Sequence, residues 1–207
     1  MTRIIQFPLK SDGKFGLKPA NRKSSQKLED AGQLNLFRTT SEAKVISITA
    51  DDAFERAIKN HDSNPDYALK LYQDSIDLEL HVADSYCNKG ILYASINEQS
   101  KAIDAFTKSL YEEPRHFEAH FNLANIYSDE GNQPLAELHY KIASEIDPED
   151  PNIFYNMALV CALQEKYDDA LHSLNEYLFL QPDNVVDKEA EQLMAILRSS
   201  VDTQKGG

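Results

Sequence analysis

Apolar side chains recur with a helical period through most of this 207-residue chain. Tyr86, Gly90 and Tyr93, for example, are spaced three and four residues apart, which places them on one face of an α-helix. Similar stripes continue from residue 49 to residue 182. Residues 1–48 instead mix Ser, Lys, Gly and Pro without a sustained period. The pattern predicts an all-α body, residues 49–182, that follows a disordered N-terminal segment.

The helical part repeats every 34 residues. Four kinds of position share this interval: Ala68, Ala102, Ala136 and Ala170; Pro114, Pro148 and Pro182; Tyr72, Phe106 and Tyr140, followed by Leu174; and Gly90, Ala124 and Ala158. Such a period is typical of stacked supersecondary units. Small residues let two helices approach closely, and rings fill the space beside them. Because proline lacks an N–H, it ends the second helix of each unit. We therefore predict four helical hairpins.

These residues resemble the tetratricopeptide repeat over about residues 52–182, in four units. The second unit has Tyr86, Gly90, Tyr93, Ala102, Phe106 and Pro114 where that family has Trp, Gly, Tyr, Ala, Phe and Pro. The first unit departs from the pattern, because it is one residue short between Ala57 and Ala68 and has Leu80 in place of the closing proline. The resemblance implies a right-handed α-solenoid of stacked helix-turn-helix hairpins.

A further amphipathic helix is predicted at residues 183–200. Its apolar stripe consists of Val186, Ala190, Leu193 and Leu197. This helix would cover the open end of the last repeat, which solenoids require. Residues 201–207 are polar and are predicted to form a loose tail.

Charge divides the chain in the same place as periodicity. Residues 1–50 carry nine Lys/Arg against four Asp/Glu, whereas the remaining residues carry 12 against 30. The acidic repeats would repel phosphate, so we expect no direct contact between the repeat domain and nucleic acid. No apolar run is long enough for a membrane span or a signal peptide. Cys87 and Cys161 are too few for a disulfide framework, and free thiols favour a cytoplasmic location.

The motifs of known catalytic and cofactor sites are missing from the sequence, so we predict a protein that is not an enzyme and holds no cofactor. His116 and His120 are spaced like two metal ligands on one helical face, with Glu118 between them. His120 occupies a large packing position of its repeat, however, and His116 lies in a predicted turn. We interpret both as structural and predict no metal site.

The resemblance places the ligand on a concave wall built from the first helix of each unit. Nine candidate groove residues follow from it: Cys87, Asn88, Ile91, Phe121, Asn122, Asn125, Tyr155, Asn156 and Leu159. None is basic, which argues against the lysine and arginine clamp by which chaperone-docking members of the family hold a C-terminal carboxylate. The sequence thus favours a protein or peptide partner bound in another way.

Asparagine recurs at one groove position, at Asn88, Asn122 and Asn156. A primary amide offers both donors and an acceptor, so it can pair with a peptide backbone of any sequence. The row resembles the asparagine ladder of some tetratricopeptide proteins, including the O-linked N-acetylglucosamine transferases. The same residues could instead tie neighbouring units together, and the sequence leaves both alternatives open.

A short motif lies in the N-terminal segment. It consists of Gln33, Leu34, Asn35, Leu36 and Phe37 and resembles the binding motif of bacterial sliding clamps. In that family the Gln hydrogen-bonds beside a pocket that takes the Leu and Phe side chains. The alternatives are that the motif packs on the first repeat of the same chain, or that the match is a coincidence.

Together these observations predict a cytoplasmic, non-enzymatic adaptor that binds a protein or peptide through tetratricopeptide repeats. One alternative is an accessory factor of DNA replication or transcription that is recruited through the N-terminal motif. Another is a subunit of an enzyme whose catalytic chain is a different protein.

Overall fold

The computed structural model describes residues 50–181 and 187–205. These residues form nine α-helices and no strand, which confirms the predicted all-α fold. The helices are α1 (Ala50–Asn60), α2 (Pro65–Asp77), α3 (Val82–Ser95), α4 (Gln99–Glu112), α5 (Phe117–Asp129), α6 (Gln133–Ile146), α7 (Pro151–Leu163), α8 (Tyr167–Leu180) and α9 (Lys188–Lys205).

Some of the sequence predictions fall outside the described residues. These are the disordered segment 1–48, the motif residues Gln33, Leu34, Leu36 and Phe37, the closing Pro182, and Val186 of the last stripe.

The first eight helices pack as four consecutive hairpins, α1 with α2, α3 with α4, α5 with α6, and α7 with α8. Two compact units divide the chain after Pro114. The first unit contains α1 to α4, and the second contains α5 to α9.

Three hairpins turn at residues spaced exactly one repeat apart. Asn97, Gly131 and Glu165 follow the first helices of their hairpins and have φ angles of 62°, 80° and 59°. In each case the next amide reaches back to close the helix end, as Glu98 N–H does to the carbonyl of Tyr93 at 2.8 Å. Glu165 thus occupies the same left-handed conformation as Gly131 without the freedom of glycine.

The first unit forms its first helix despite its departure from the family pattern. Phe54 and Ala57 of α1 are completely buried, and the Phe54 ring meets the ring of Tyr72 edge-on at 5.9 Å. Asn64 caps the next helix, because its side chain accepts a hydrogen bond from the backbone N–H of Tyr67 at 3.3 Å. The buried apolar face therefore determines this helix, as the period predicted.

Gly90 of α3 shows why small residues recur in the repeat. A Cβ atom at this position would lie 2.7 Å from the ring of Phe106 on α4. Such a distance is well inside van der Waals contact, so any side chain at position 90 would force the Phe106 ring or the two helices to shift.

The core of the second unit continues from α5 to the last helix. Ala136 and Ala170 are completely buried at the crossings of their hairpins. Pro134 lies in the first turn of α6, where a missing N–H costs no intrahelical bond.

The last helix extends further than its predicted boundary. Ala190, Leu193 and Leu197 of α9 are buried and join the core of the second unit, as the predicted cap requires. However, the helix continues to Lys205, so the prediction of a loose tail from residue 201 is corrected for residues 201–205. The physical reason is Val201, which continues the buried stripe one helical turn beyond Leu197.

Candidate peptide-binding face

The nine candidate groove residues are divided between the two units. In the first unit, Cys87, Asn88 and Ile91 lie on α3, and all three are completely buried. Their spacing of one and four residues places them on one face of that helix. The other six lie on α5 and α7 of the second unit: Phe121, Asn122, Asn125, Tyr155, Asn156 and Leu159. We call these six residues the α5–α7 face.

Hydrogen bonds bring α5 and α7 together at the centre of this face. Nδ2 of Asn156 donates to Oδ1 of Asn125 at 3.3 Å. The hydroxyl of Tyr140, on α6, donates to the same oxygen at 2.5 Å. Burial raises the pKa of Tyr140 well above its ordinary value, so the phenol remains a donor. One amide oxygen thus accepts bonds from two other helices.

Two amide atoms on the face are buried without a partner in the part of the chain that the structure describes. Nδ2 of Asn122 donates to the carbonyl of Glu118 at 2.8 Å, but its Oδ1 accepts no hydrogen bond. At Asn125 the other amide atom is unpaired, because Oδ1 accepts hydrogen bonds whereas Nδ2 donates to no described residue. Leaving such a group buried and unpaired costs about 1–3 kcal/mol. The face therefore presents one unpaired acceptor and one unpaired donor, a single helical turn apart.

Aromatic rings surround these amides. The Phe121 ring stacks on Phe117 at 6.0 Å and meets Tyr140 edge-on at 5.9 Å. Tyr155 packs edge-on against Tyr177 at 5.1 Å. Because each ring is held by another ring, the apolar part of the face is rigid, and an apolar ligand side chain would bind to a preformed surface.

Negative charge lies at one side of the face. The carboxylates of Asp187 and Glu189, at the start of α9, are close enough to Tyr155 to add to the effect of burial in raising its pKa. Tyr177, which packs on Tyr155, donates its hydroxyl hydrogen bond to the Asp187 carboxylate. The electrostatic potential beside the face therefore favours a cationic ligand.

All six residues of the α5–α7 face are shielded from solvent. Asn125, Tyr155 and Asn156 have no exposed surface, and the most exposed of the six, Leu159, is 7% exposed. A ligand would reach the face only after the atoms that cover these six side chains move away.

One buried charge cluster of the second unit was not anticipated from the sequence. Glu137 of α6 is only 6% exposed and accepts hydrogen bonds from Lys141 at 2.5 Å, Lys166 at 2.6 Å and Gln164 at 2.8 Å. Burial alone would raise the pKa of Glu137, but these bonds outweigh it and lower the pKa to about 2. The cluster links the two hairpins of this unit and has a structural role. The partners are 27 and 29 residues away in sequence, so no local motif could have shown it.

The histidines that resemble a metal motif have separate partners. His116 is the N-cap of α5, and its Nδ1 accepts from the backbone N–H of Ala119 at 3.4 Å. The side chain of His120 instead meets His139, with 2.9 Å between their Nδ1 atoms. Burial, and then the proximity of His120, lowers the pKa of His139 to about 4. No group of three or more His, Cys, Asp or Glu within residues 50–181 and 187–205 could hold a metal ion.

Comparison with known proteins identifies the repeat. The family model described as the tetratricopeptide repeat matches residues 83–116, which covers the second predicted unit. This match confirms a tetratricopeptide repeat at the hairpin of α3 and α4, and the other three hairpins have the helical architecture that the sequence predicted.

Two curated proteins are similar to about half of the chain. Protein bimA of Emericella nidulans is 29% identical over 102 residues, which are 49% of this chain and 12% of that protein. Anaphase-promoting complex subunit 3 of Schizosaccharomyces pombe is 28% identical over 104 residues, which are 50% of this chain and 16% of that protein. The chain thus spans only a small part of the length of these relatives.

Solved structures share the fold at low sequence identity. MamA from Desulfovibrio magneticus RS-1 matches with a TM-score of 0.64 and 18% identity, over 76% of this chain and 88% of that chain. The first TPR domain of Spaghetti (RPAP3), bound to the HSP90 peptide SRMEEVD, matches with a TM-score of 0.53 and 19% identity, over 58% of this chain and 93% of that chain.

None of the helices in the described residues has both the length and the apolar composition needed to cross a membrane.

Proposed function

We propose that this chain is a non-enzymatic scaffold of tetratricopeptide repeats whose α5–α7 face binds an extended peptide segment. The observation that carries the proposal is the pair of unpaired amide atoms at Asn122 and Asn125. An extended peptide backbone supplies both an N–H for the free oxygen and a carbonyl for the free NH₂. Binding would therefore remove the cost of leaving two polar groups buried and unpaired.

The apolar part of the face would supply affinity and some specificity. Phe121, Tyr155 and Leu159 offer a rigid surface to one or two apolar side chains, and each large side chain buried there contributes about 1.5–3 kcal/mol. Cys87, Asn88 and Ile91 offer a similar combination on α3 of the first unit, and we include them as ligand contacts of that unit.

This mode differs from the capture of an acidic C-terminal peptide. The RPAP3 domain is bound to the HSP90 peptide SRMEEVD, which shows that this fold can hold a peptide. None of the six residues of the α5–α7 face is Lys or Arg, and carboxylates lie beside it. We therefore assign this protein a neutral or basic peptide, and we place it in the cytoplasm because its two cysteines are free and buried.

The test is a selection of random peptides displayed on phage against the full chain, followed by affinity measurements on purified variants. Asn122→Leu keeps the size of the side chain and removes the free oxygen, so it should weaken the selected peptides at least about fivefold. The matched control is Asn175→Leu, the same change at an exposed position on α8. Equal affinities of the wild type and Asn122→Leu for every selected peptide would contradict the proposal.

A second docking element is proposed in the N-terminal segment, on the sequence of Gln33 to Phe37 alone. If this motif binds a bacterial sliding clamp, the protein is an accessory factor of replication or transcription. A peptide of residues 28–42 should then bind a purified clamp, and Phe37→Ala should abolish that binding, because the ring supplies most of the apolar contact. No binding at high micromolar concentration would exclude this function.

A further inference from the structure

The shielding of the α5–α7 face limits what its ligand can be. Asn125, Tyr155 and Asn156 have no exposed surface, yet Nδ2 of Asn125 has no hydrogen-bond partner among the described residues. A buried and unpaired amide is unfavourable unless a ligand completes it. The occupant of the face should therefore be a segment that is available to every copy of the protein, rather than one that depends on a rare partner.

The chemistry of the face defines this occupant more closely. It must be extended in order to pair its backbone with Asn122 and Asn125, and apolar on one side in order to cover Phe121 and Tyr155. It should also be basic, since the described residues of the second unit carry 16 Asp/Glu against six Lys/Arg. The chain itself contains a basic part in residues 1–50, with nine Lys/Arg against four Asp/Glu.

One stretch of that basic part has all three properties. Residues 3–10 read Arg-Ile-Ile-Gln-Phe-Pro-Leu-Lys. Ile5, Phe7 and Leu9 alternate, so an extended backbone would place them on one side. The proline at position 8 biases Phe7 towards the extended conformation, which reduces the entropy lost on binding. A basic residue stands at each end.

A long linker separates this stretch from the first described helix. There are 39 residues between Lys10 and Ala50, where α1 begins. A random coil of 39 residues would have a root-mean-square end-to-end distance of about 35 Å, which is close to the size of a small domain. Such tethering gives an effective concentration of about 1 mM.

From this complementarity we propose that residues 3–10 bind the α5–α7 face of the same chain and act as an internal ligand that an external peptide must displace. This inference rests on the proposed peptide-binding function and names the occupant of the same face. An internal segment with a dissociation constant of about 100 µM would weaken an external competitor about tenfold. The segment would therefore set a threshold for partner binding.

The experiment uses the full chain and a fluorescein-labelled peptide of residues 1–12, with binding followed by fluorescence anisotropy. The variant Ile5→Asp/Phe7→Asp places two charges on the apolar side of the internal segment. It should bind the labelled peptide about tenfold more tightly than the wild type, because its own segment no longer competes. Phe15→Asp, a ring of the same region outside residues 3–10, is the matched control and should behave like the wild type.

Adding Asn122→Leu to the double variant should remove the tenfold gain in affinity for the labelled peptide, since the peptide would lose its backbone partner. Equal affinities of the wild type and the double variant would overturn the internal ligand. A double variant that does not bind the labelled peptide but still binds phage-selected peptides through Asn122 would also overturn the internal ligand. That result would leave the proposed function intact. A double variant that binds neither kind of peptide would overturn both proposals.

Sedimentation velocity distinguishes binding within one chain from binding between copies. A monomeric wild type is expected. A wild-type dimer that dissociates in Ile5→Asp/Phe7→Asp would show that the segment binds a second copy, and the internal ligand would be wrong.

Discussion

Nδ2 of Asn156 on α7 donates a hydrogen bond to Oδ1 of Asn125 on α5, and both side chains are completely buried. The bond joins the first helices of two neighbouring hairpins, 31 residues apart in sequence. Within residues 50–181 and 187–205, by contrast, the side chain of Asn122 bonds only to a carbonyl of its own helix. The arrangement therefore favours a structural role for Asn156 and leaves Asn122 suited to a ligand.

Asn156→Leu should lower the free energy of unfolding by about 1–3 kcal/mol, because the change removes a donor from a buried oxygen. Asn122→Leu should not lower it and should raise it by up to about 1–2 kcal/mol, since the change removes a buried unpaired oxygen and loses only a bond to a carbonyl that its own helix already uses. Urea denaturation of both variants measures the difference. Equal losses would mean that the two asparagines have the same role.

Glu165→Gly should raise the free energy of unfolding by about 0.5–1 kcal/mol. The reason is the φ angle of 59° at Glu165, a conformation that costs a residue with a Cβ atom and that glycine adopts freely. Gly131 already occupies the equivalent turn one repeat earlier. Thermal and urea denaturation would both measure this increase in the stability of Glu165→Gly.

The control for this prediction is Glu130→Gly, at the C-cap of α5, where φ is −77°. Here glycine relieves no strain and adds flexibility to the unfolded chain, so stability should fall by up to about 1 kcal/mol. A loss of stability in Glu165→Gly as well would contradict the explanation from backbone conformation.

The helices could be predicted from the sequence because each depends on local spacing. Ala102 and Ala136 mark the same crossing in successive repeats, and a period of 34 residues is visible without any structure. The end of α9 was misplaced for a related reason. Val201 is the single apolar residue of its segment, and a pattern needs several members before it can be recognised.

The candidate site was less predictable, because its properties depend on contacts between repeats. The position of Asn125 on one face of α5 follows from spacing, but its bonds to Tyr140 and Asn156 do not. Likewise, the spacing that placed Tyr155 on a groove wall gave no sign that the residue has no exposed surface. Burial depends on everything that packs against a residue, and one repeat contains only part of that information.

The buried Glu137 cluster predicts how stability depends on pH. The folded-state pKa of about 2 lies below the ordinary value of 4.5, so the ionised carboxylate stabilises the native state at and above pH 4.5. This contribution is lost as the pH falls from 4.5 towards 2. Each unit of pKa difference corresponds to about 1.4 kcal/mol, which gives this contribution an upper limit of about 3 kcal/mol. The true contribution is smaller, because solvent partly screens the exposed lysines.

Glu137→Gln removes the charge and keeps the size of the side chain, so its free energy of unfolding should lie below that of the wild type at neutral pH. The difference in free energy of unfolding should stay constant down to about pH 5 and then narrow, because the Glu137 carboxylate of the unfolded wild type takes up a proton while that of the folded protein stays ionised until about pH 2. Urea denaturation of both proteins across this pH range measures it. Glu145→Gln, at an exposed position on the same helix, is the matched control and should show no narrowing. A difference between Glu137→Gln and the wild type that stays the same at every pH would mean that the cluster stabilises the protein by packing rather than by charge.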